Sequence, residues 1–383
     1  MSVFGQLVGQ SHIVLALQSA VAASRSGSDS QEMTHTWLFT GPPGSGRSSA
    51  AVALAAALVC PEAGCGTCLD CRSVMSGGHA DVEIIKTEGL SIKIDEVREL
   101  LQRVAWAPSV GGWRVVVMED ADRLTESAAN ALLKAIEEPG SRTVWLLCAP
   151  TLFDVPPTIR SRARHLQLRT PSSREVAQVL IERDGITPDM ADFAARVSQG
   201  HIGRARHLAN DAAIRARRAT ILNLPFTATN IAAAFAAAAT LVTLATEEAN
   251  AASSARDEKE SQALGLAWGQ GATGRGMATG GAKALKELEK EQKSRATRMV
   301  RDSLDGALLD LATLYRDVLL AQSNITDSFI NAEMSEKINY LANSVPPARI
   351  LQNINEILQA RTNLSYNAAP LLTMEALMCA LSQ

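Results

Sequence analysis

The segment Gly41-Pro42-Pro43-Gly44-Ser45-Gly46-Arg47-Ser48 carries the spacing of a phosphate-binding loop: glycine, four residues, glycine, a base, a hydroxyl. Glycines let backbone N–H groups turn inward around phosphate oxygens, and the N-terminus of a following helix adds positive potential. Ser48 stands where a hydroxyl would hold Mg²⁺. The base departs from the pattern. A lysine ammonium is a compact charge that fits among the β- and γ-phosphates; the guanidinium of Arg47 is wider, planar and harder to place there. The loop is therefore read as a scaffold that no longer turns over ATP. Nucleotide binding without hydrolysis stays open.

A second acidic motif is also altered. Val115-Val116-Val117-Met118-Glu119-Asp120-Ala121-Asp122 is a buried-strand run ending in acids. Metal-assisted phosphoryl transfer wants a short Asp on the Mg²⁺ shell and then a longer Glu toward the attacking water. Here Glu119 precedes Asp120, so the lengths are reversed. A shift of about an ångström at each carboxylate costs orders of magnitude in rate. Acids that merely cap a strand end fit the pattern equally well.

Cys60, Cys65, Cys68 and Cys71 read C-x4-C-x2-C-x2-C. Overlapping C-x2-C pairs can place four thiolates tetrahedrally around one Zn²⁺, and four thiolates leave no open position, so such a site is structural. An iron–sulfur cluster is the minor alternative, and four unpaired thiols the bland one. Cys148 and Cys379 stand alone.

These groups need elements to position them, and 383 residues are enough for two or three domains. Aromatic residues make up only 4% and the net charge is −3, from 37 basic and 40 acidic residues. That excludes a strongly basic nucleic-acid coat and an acidic disordered tail. The opening residues lack a basic segment followed by an apolar one, and alanine-dominated runs such as 231–239 fall short of a bilayer span. A cytoplasmic chain with no membrane partner is expected.

Over the first 165 residues, strand-like runs (36–40, 81–85, 113–118, 143–148) alternate with helix-like ones (48–59, 94–104, 127–138). Near-continuous apolar strands separated by helices predict a parallel sheet covered on both faces. Ser172 or Ser173 can cap a helix, and Ser198-Gln199-Gly200 reads as a helix stop. Residues 265–281 hold seven glycines and are expected as a loop. Residues 283–320 then predict a long helix with Leu304, Leu308, Leu311, Tyr315 and Val318 as its apolar stripe, followed by two further helices.

A P-loop core with a four-cysteine insertion after its helix resembles the AAA+ clamp-loader subunits of bacterial DNA polymerase III. Further stretches agree with that family: Val8-Gly9-Gln10 at the start, Ala129-Asn130-Ala131-Leu132-Leu133-Lys134 followed by Glu137-Glu138-Pro139, and Thr158-Ile159-Arg160-Ser161-Arg162-Ala163. The last is similar to the family's Ser-Arg-Cys motif, with Ala163 in place of Cys. Gly203-Arg204-Ala205 lies where the family's second sensor is expected. The specific motifs cover about residues 1–215.

The resemblance implies an α/β AAA+ P-loop domain with a zinc insertion over residues 1–165, a small helical lid over 166–218 and an all-α collar over 219–383. Altered residues at Arg47, Glu119-Asp120 and the first-sensor region Cys148-Ala149-Pro150-Thr151, beside an intact Ser161-Arg162, resemble the family's non-hydrolysing delta-prime branch. For that branch the resemblance implies a hetero-oligomer with gamma/tau- and delta-type subunits, working on the sliding clamp and primer-template DNA. It implies that Arg162 serves as an arginine finger in a neighbour's ATP site. Gly41, Gly44, Gly46, Arg47, Ser48, Glu119, Asp120 and Arg204 would then be a degenerate nucleotide site, with ATP binding doubtful. An active gamma/tau-type ATPase that tolerates Arg47 is the competing reading. A free-standing zinc-stapled nucleic-acid module is a third, disfavoured because no strongly basic tract exists.

Overall fold

Five strands form a sheet in the computed structural model, which describes residues 2–26, 32–87, 89–110, 112–140, 142–268 and 281–382. They are β1 (Thr36–Thr40), β2 (Val82–Ile85), β3 (Arg114–Met118), β4 (Thr143–Ala149) and β5 (Arg164–Gln167). All neighbours pair parallel, in the spatial order β2–β3–β4–β1–β5. Side chains alternate across the sheet. Trp37, Phe39, Val115, Val117, Leu146 and Cys148 enter one apolar cluster; Leu38, Val116, Met118, Trp145 and Leu147 enter the other. Both faces are covered, which is why the strands read as unbroken apolar runs.

On the first face lie α1 (Ser11–Ser26), α2 (Arg47–Val59) and α3 (Leu69–Met75). On the second lie α4 (Ile94–Val104), α5 (Glu126–Glu137) and the short α6 (Pro157–Arg160). Thr125 caps α5 by accepting from Ala128 N–H. Three more helices follow: α7 (Ser173–Asp184), α8 (Pro188–Ser198) and α9 (Ile202–Asn210). Ser172 starts α7 with a reciprocal capping box to Glu175. The helix stop after Ser198 uses two left-handed residues, Gln199 and Gly200.

The edge strand β5 departs from expectation. It lies outside the strand-like runs of the sequence, begins just after Arg162 and pairs with β1. Arg-His-Leu-Gln alternates half-buried and exposed, so it lacks the apolar run that marks the inner strands.

The chain divides into two compact units, Met1–Asn210 and Asp211–Gln383. The second contains α10 (Ala212–Thr227), α11 (Ile231–Ala267), α12 (Gly281–Gln322), α13 (Ser335–Ser344), α14 (Pro347–Ser365) and α15 (Pro370–Leu381). Position 218 therefore falls inside α10. Residues 265–267 form the last turn of α11 rather than a loop, and 269–280 lie outside the described residues. Over 18 residues α11 is long and apolar enough to cross a bilayer by length and composition, contrary to the sequence reading, because its alanines count as apolar. Ala234, Ala237, Ala238, Leu241 and Ala245 on that helix belong to the core of the second unit.

Leu304, Leu308, Leu311, Tyr315 and Val318 are all buried in that same core. Beside them a polar cluster is enclosed. Arg218 donates to Asp310 at 3.0 Å and to Glu333 at 2.8 Å, and Asp317 accepts from the Asn331 backbone and amide at 2.7 and 2.9 Å. Leu308→Ala should cost the second unit about 2–5 kcal/mol in urea unfolding of the full chain, the range for emptying a close-packed leucine site. A loss below about 1 kcal/mol would show that the stripe is not a core position.

Candidate functional site

The loop between β1 and α2 takes the conformation that its glycines permit. Gly46, at φ +90°, is the N-cap of α2, and Ala50 N–H donates back to its carbonyl at 2.8 Å. Gly44, at φ +85°, has no room for a side chain: a Cβ there would stand 2.6 Å from the Cα of His201. Gly41 N–H donates to the Pro150 carbonyl at 3.1 Å, which fastens the loop to the end of β4.

Gln10 holds the other side. Its buried amide donates to the Ser45 carbonyl at 3.1 Å and the Arg169 carbonyl at 2.6 Å, and its oxygen accepts from Arg169 N–H at 3.3 Å. Gly9 leaves space for the Arg169–Glu175 ion pair, whose nearest atoms would lie within 2.9 Å of a Cβ at that position. The Val8-Gly9-Gln10 motif thus joins the loop, the exit of β5 and the first turn of α7. Hydrogen bonds from the Arg169 guanidinium and from Ser172 hold the Glu175 carboxyl down to about 2.

Arg47 turns back on its own loop. Its guanidinium donates to the Gly41 carbonyl, at the start of the phosphate motif. Its charge is also felt by Asp122 and by Cys148 at the end of β4. Burial pushes Asp122 up, and the neighbouring Asp120 adds to it. Glu119 follows β3, with the Lys86 ammonium 3.8 Å away. The fold therefore gathers Arg47, the acids after β3 and Cys148 into one neighbourhood.

A cavity of about 1110 Å³ opens beside the loop. Residues 44–49 line one wall, 2–3 and 5–8 another, and Arg183, His201, Gly203 and Arg206 a third. Arg204 instead sits in the first turn of α9, where its backbone N–H donates to His201 Nδ1 at 3.1 Å. Burial lowers the His201 pKa, and the Arg204 charge lowers it further. Sequence reasoning named Arg204 and missed His201, Arg183 and Arg206. The Gly200-His201 turn, directly after the recognised helix stop, was the available signal.

Arg162 follows α6 on the surface. It donates to the Thr158 carbonyl at 2.9 Å and to Ser161 Oγ at 3.1 Å, and pairs with Glu137 at 2.6 Å. Its neighbours are engaged differently. Arg160 stacks over Phe153 at 5.3 Å, and Arg164 over Trp37 at 4.9 Å.

The four cysteines of the predicted cluster come together. Their Sγ atoms all lie within 4.8 Å of one another, with Cys60–Cys65 at 3.8 Å and Cys60–Cys68 at 3.7 Å. Zinc–sulfur bonds of about 2.3 Å in a tetrahedron require S···S edges of about 3.8 Å. Backbone N–H groups point at the sulfurs: Glu62 and Cys65 at Cys60, Cys68 at Cys65, Cys71 at Cys68, and Gly66 at Cys71, all at 3.3–3.5 Å. Such donors stabilise thiolates. Hydrogen bonds from Thr67, and then Cys68, bring Cys65 down to about 6. The donor set suits a metal ion.

A parallel sheet in this order and a glycine loop opening into α2 define a P-loop domain, followed by three further helices. Comparison with known proteins narrows the class. Residues 17–172 match the family described as DNA polymerase III, delta subunit, and residues 299–381 match DNA polymerase III, delta subunit, C terminal. The chain is 32% identical over 205 residues to the gamma/tau subunit of Mycobacterium bovis, covering 51% of this chain and 34% of that one. It is 29% identical over 199 residues to the delta' subunit of Bacillus subtilis, covering 51% and 60%. It therefore spans about a third of the first relative's length and three fifths of the second's. Among solved structures, a gamma subunit-related protein from Thermotoga maritima aligns over 96% of this chain and 98% of its own, at 15% identity and a TM-score of 0.43. Over residues 17–172 and 299–381 the chain is thus similar to subunits of DNA polymerase III, with gamma/tau and delta' chains among its relatives.

Two measurements check the anchoring of the loop. Gln10→Leu leaves the Ser45 and Arg169 carbonyls without their buried donor, and should lower the stability of the first unit by about 1–3 kcal/mol in denaturant unfolding. The Glu175 pair predicts a pH window. A depressed carboxyl pKa adds stability in full above the ordinary value near 4.5, and that stability is lost as pH falls toward 2. The stability gap between wild type and Glu175→Gln should be widest near pH 6 and close below pH 4.5. A gap that does not change with pH would contradict the pairing.

Proposed function

We propose that this chain is a non-hydrolysing, delta-prime-type subunit of a clamp loader, which helps place the sliding clamp on primed DNA. The observation that carries the reading is the Arg47 guanidinium, bonded to its own loop carbonyl where a phosphate-binding lysine would point outward. The reversed acids Glu119 and Asp120 support it. Gly41, Gly44, Gly46 and Ser48 then serve as scaffold, and Arg204 as a structural residue of the lid turn.

Arg162 acts in this reading on a neighbouring gamma/tau-type subunit, within a hetero-oligomer that also holds a delta-type subunit. A guanidinium brought to another subunit's ATP neutralises charge on the transferring phosphoryl group, a contribution of roughly 10³–10⁵ in rate. Its present partner is easily exchanged. Arg162 and Glu137 are 40% and 43% exposed, and ion pairs between exposed groups are worth only about 0–1 kcal/mol. Leaving Glu137 for a phosphate thus costs little. Cys60, Cys65, Cys68 and Cys71 hold one structural Zn²⁺, and the subunit works in the cytoplasm. The rival reading, an active gamma/tau-type ATPase, draws support from the 32% identity to a gamma/tau chain.

Metal analysis of protein purified without chelator should find about one zinc per chain, and none in a variant with Cys68 and Cys71 both replaced by Ser. The purified chain alone should turn over ATP at background rates. Turnover at motor rates, abolished by Glu119→Gln, would establish the rival reading. In a reconstituted loader, Arg162→Ala should fold and assemble yet lower DNA-stimulated ATPase at least tenfold, with Arg162→Lys rescuing only in part. Unchanged activity would return Arg162 to the surface.

A further inference from the structure

The second face of the sheet carries a groove that the nucleotide reading does not use. It has a volume of about 500 Å³ and lies between the end of α4, the segment after it and α5. Leu101, Val104, Ala135, Pro139 and Trp145 give it apolar walls. It lies toward the first residues of β4, whereas the P-loop is tied to the last ones through Gly41 and Pro150. The two sites are at opposite ends of the same parallel strand. Ligands of open α/β sheets gather at the carboxyl ends of the strands, so a groove at the other end is a surface for something else.

Three observations say what it would take. First, Trp145 is 1% exposed, yet its indole N–H meets no acceptor among the described residues. A buried donor without a partner carries a desolvation penalty that an incoming acceptor removes. Second, the segment after α4 exposes Trp106 (77%) and Val110 (71%). This segment is firmly held. The buried carboxylate of Asp81 accepts from Ser109 N–H at 2.7 Å, Ser109 Oγ at 2.9 Å and Val110 N–H at 2.6 Å. Large apolar side chains displayed on a pinned loop lose little entropy when covered. Third, the exposed Lys134 and Arg142 border the groove against the single carboxylate of Glu138. The excess is positive.

We infer that this groove docks a peptide segment of a protein partner, one that inserts a bulky apolar side chain, offers an acceptor to the Trp145 N–H and carries an acidic group toward Lys134 and Arg142. A segment of chain, rather than a small molecule, is needed to cover Trp106 on the groove wall and Val110 beyond it as well as the floor. Trp106 supplies the apolar anchor typical of such contacts.

The test uses the full-length chain and a phage-displayed library of random twelve-residue peptides. Selected peptides should share an aromatic or large aliphatic residue near an Asp or Glu. A labelled representative, followed by fluorescence anisotropy, should bind wild type and lose roughly tenfold or more in affinity to Trp106→Ala. This exposed position can change without disturbing the core. Trp145→Phe keeps an aromatic but smaller side chain and removes the N–H, and should lose at least fivefold; Lys134→Glu should weaken binding, the more so at low salt. Thermal melts establish that each variant is folded, and if Trp145→Phe is not, Trp106→Ala and Lys134→Glu decide. Failure of the library to enrich any peptide would overturn the inference. So would selected peptides that bind Trp106→Ala and Lys134→Glu as tightly as wild type.

Discussion

The arrangement around the P-loop depends on one buried amide. Gln10 reaches the Ser45 carbonyl inside the loop and both backbone groups of Arg169 beyond β5. A loop with three positive-φ glycines has unusually many unfolded conformations to lose, and of its own side chains Arg47 returns to the Gly41 carbonyl. Further restraint comes from outside. Gln10 provides it from the N-terminal segment, the Gly41–Pro150 bond from β4, and the packing of His201 on Gly44 from the lid turn. Each of the three arrives from a different stretch of sequence, so the loop is shaped only once the whole first unit has formed.

Within that frame the size of one cation changes what the loop can do. A lysine has three rotatable donors on a compact head; a guanidinium is a flat fork that prefers carbonyl and carboxylate oxygens in its plane. Arg47 finds such an oxygen on Gly41. The same preference suits an exposed arginine to a phosphate, which is why Arg162, on a weak surface pair, and Arg47, folded onto its backbone, stand in such different situations.

Much of this was legible in the sequence where pattern and physics coincide. The three inner strands, β1, β3 and β4, announced themselves because both faces of the sheet are buried there, and the edge strand β2 because three of its four residues are apolar. The cysteine spacing was enough to foresee sulfurs within 4.8 Å of one another. The rest depended on contacts between distant segments. β5 is a polar edge strand whose identity comes only from pairing with β1. The cavity's Arg183 and Arg206 lie on helices whose pattern says nothing of what they face. Residues 265–267 continue α11 because only Gly265 among them is a weak helix former, and Leu266 and Ala267 favour the helix. Trp145 read as one more core residue; its lone N–H is visible only in three dimensions.

One feature of α2 constrains how this protein can change over time. Ala50, Ala51 and Ala53 through Ala57 leave almost no space between the helix and what surrounds it, Leu54 included. An added methylene on nearly any side of that helix meets close-packed atoms. The helix axis, and with it the N-terminal turn that carries the glycine loop, cannot drift by small steps. Chemistry at positions 47 and 48 is therefore freer to vary than the place where it occurs.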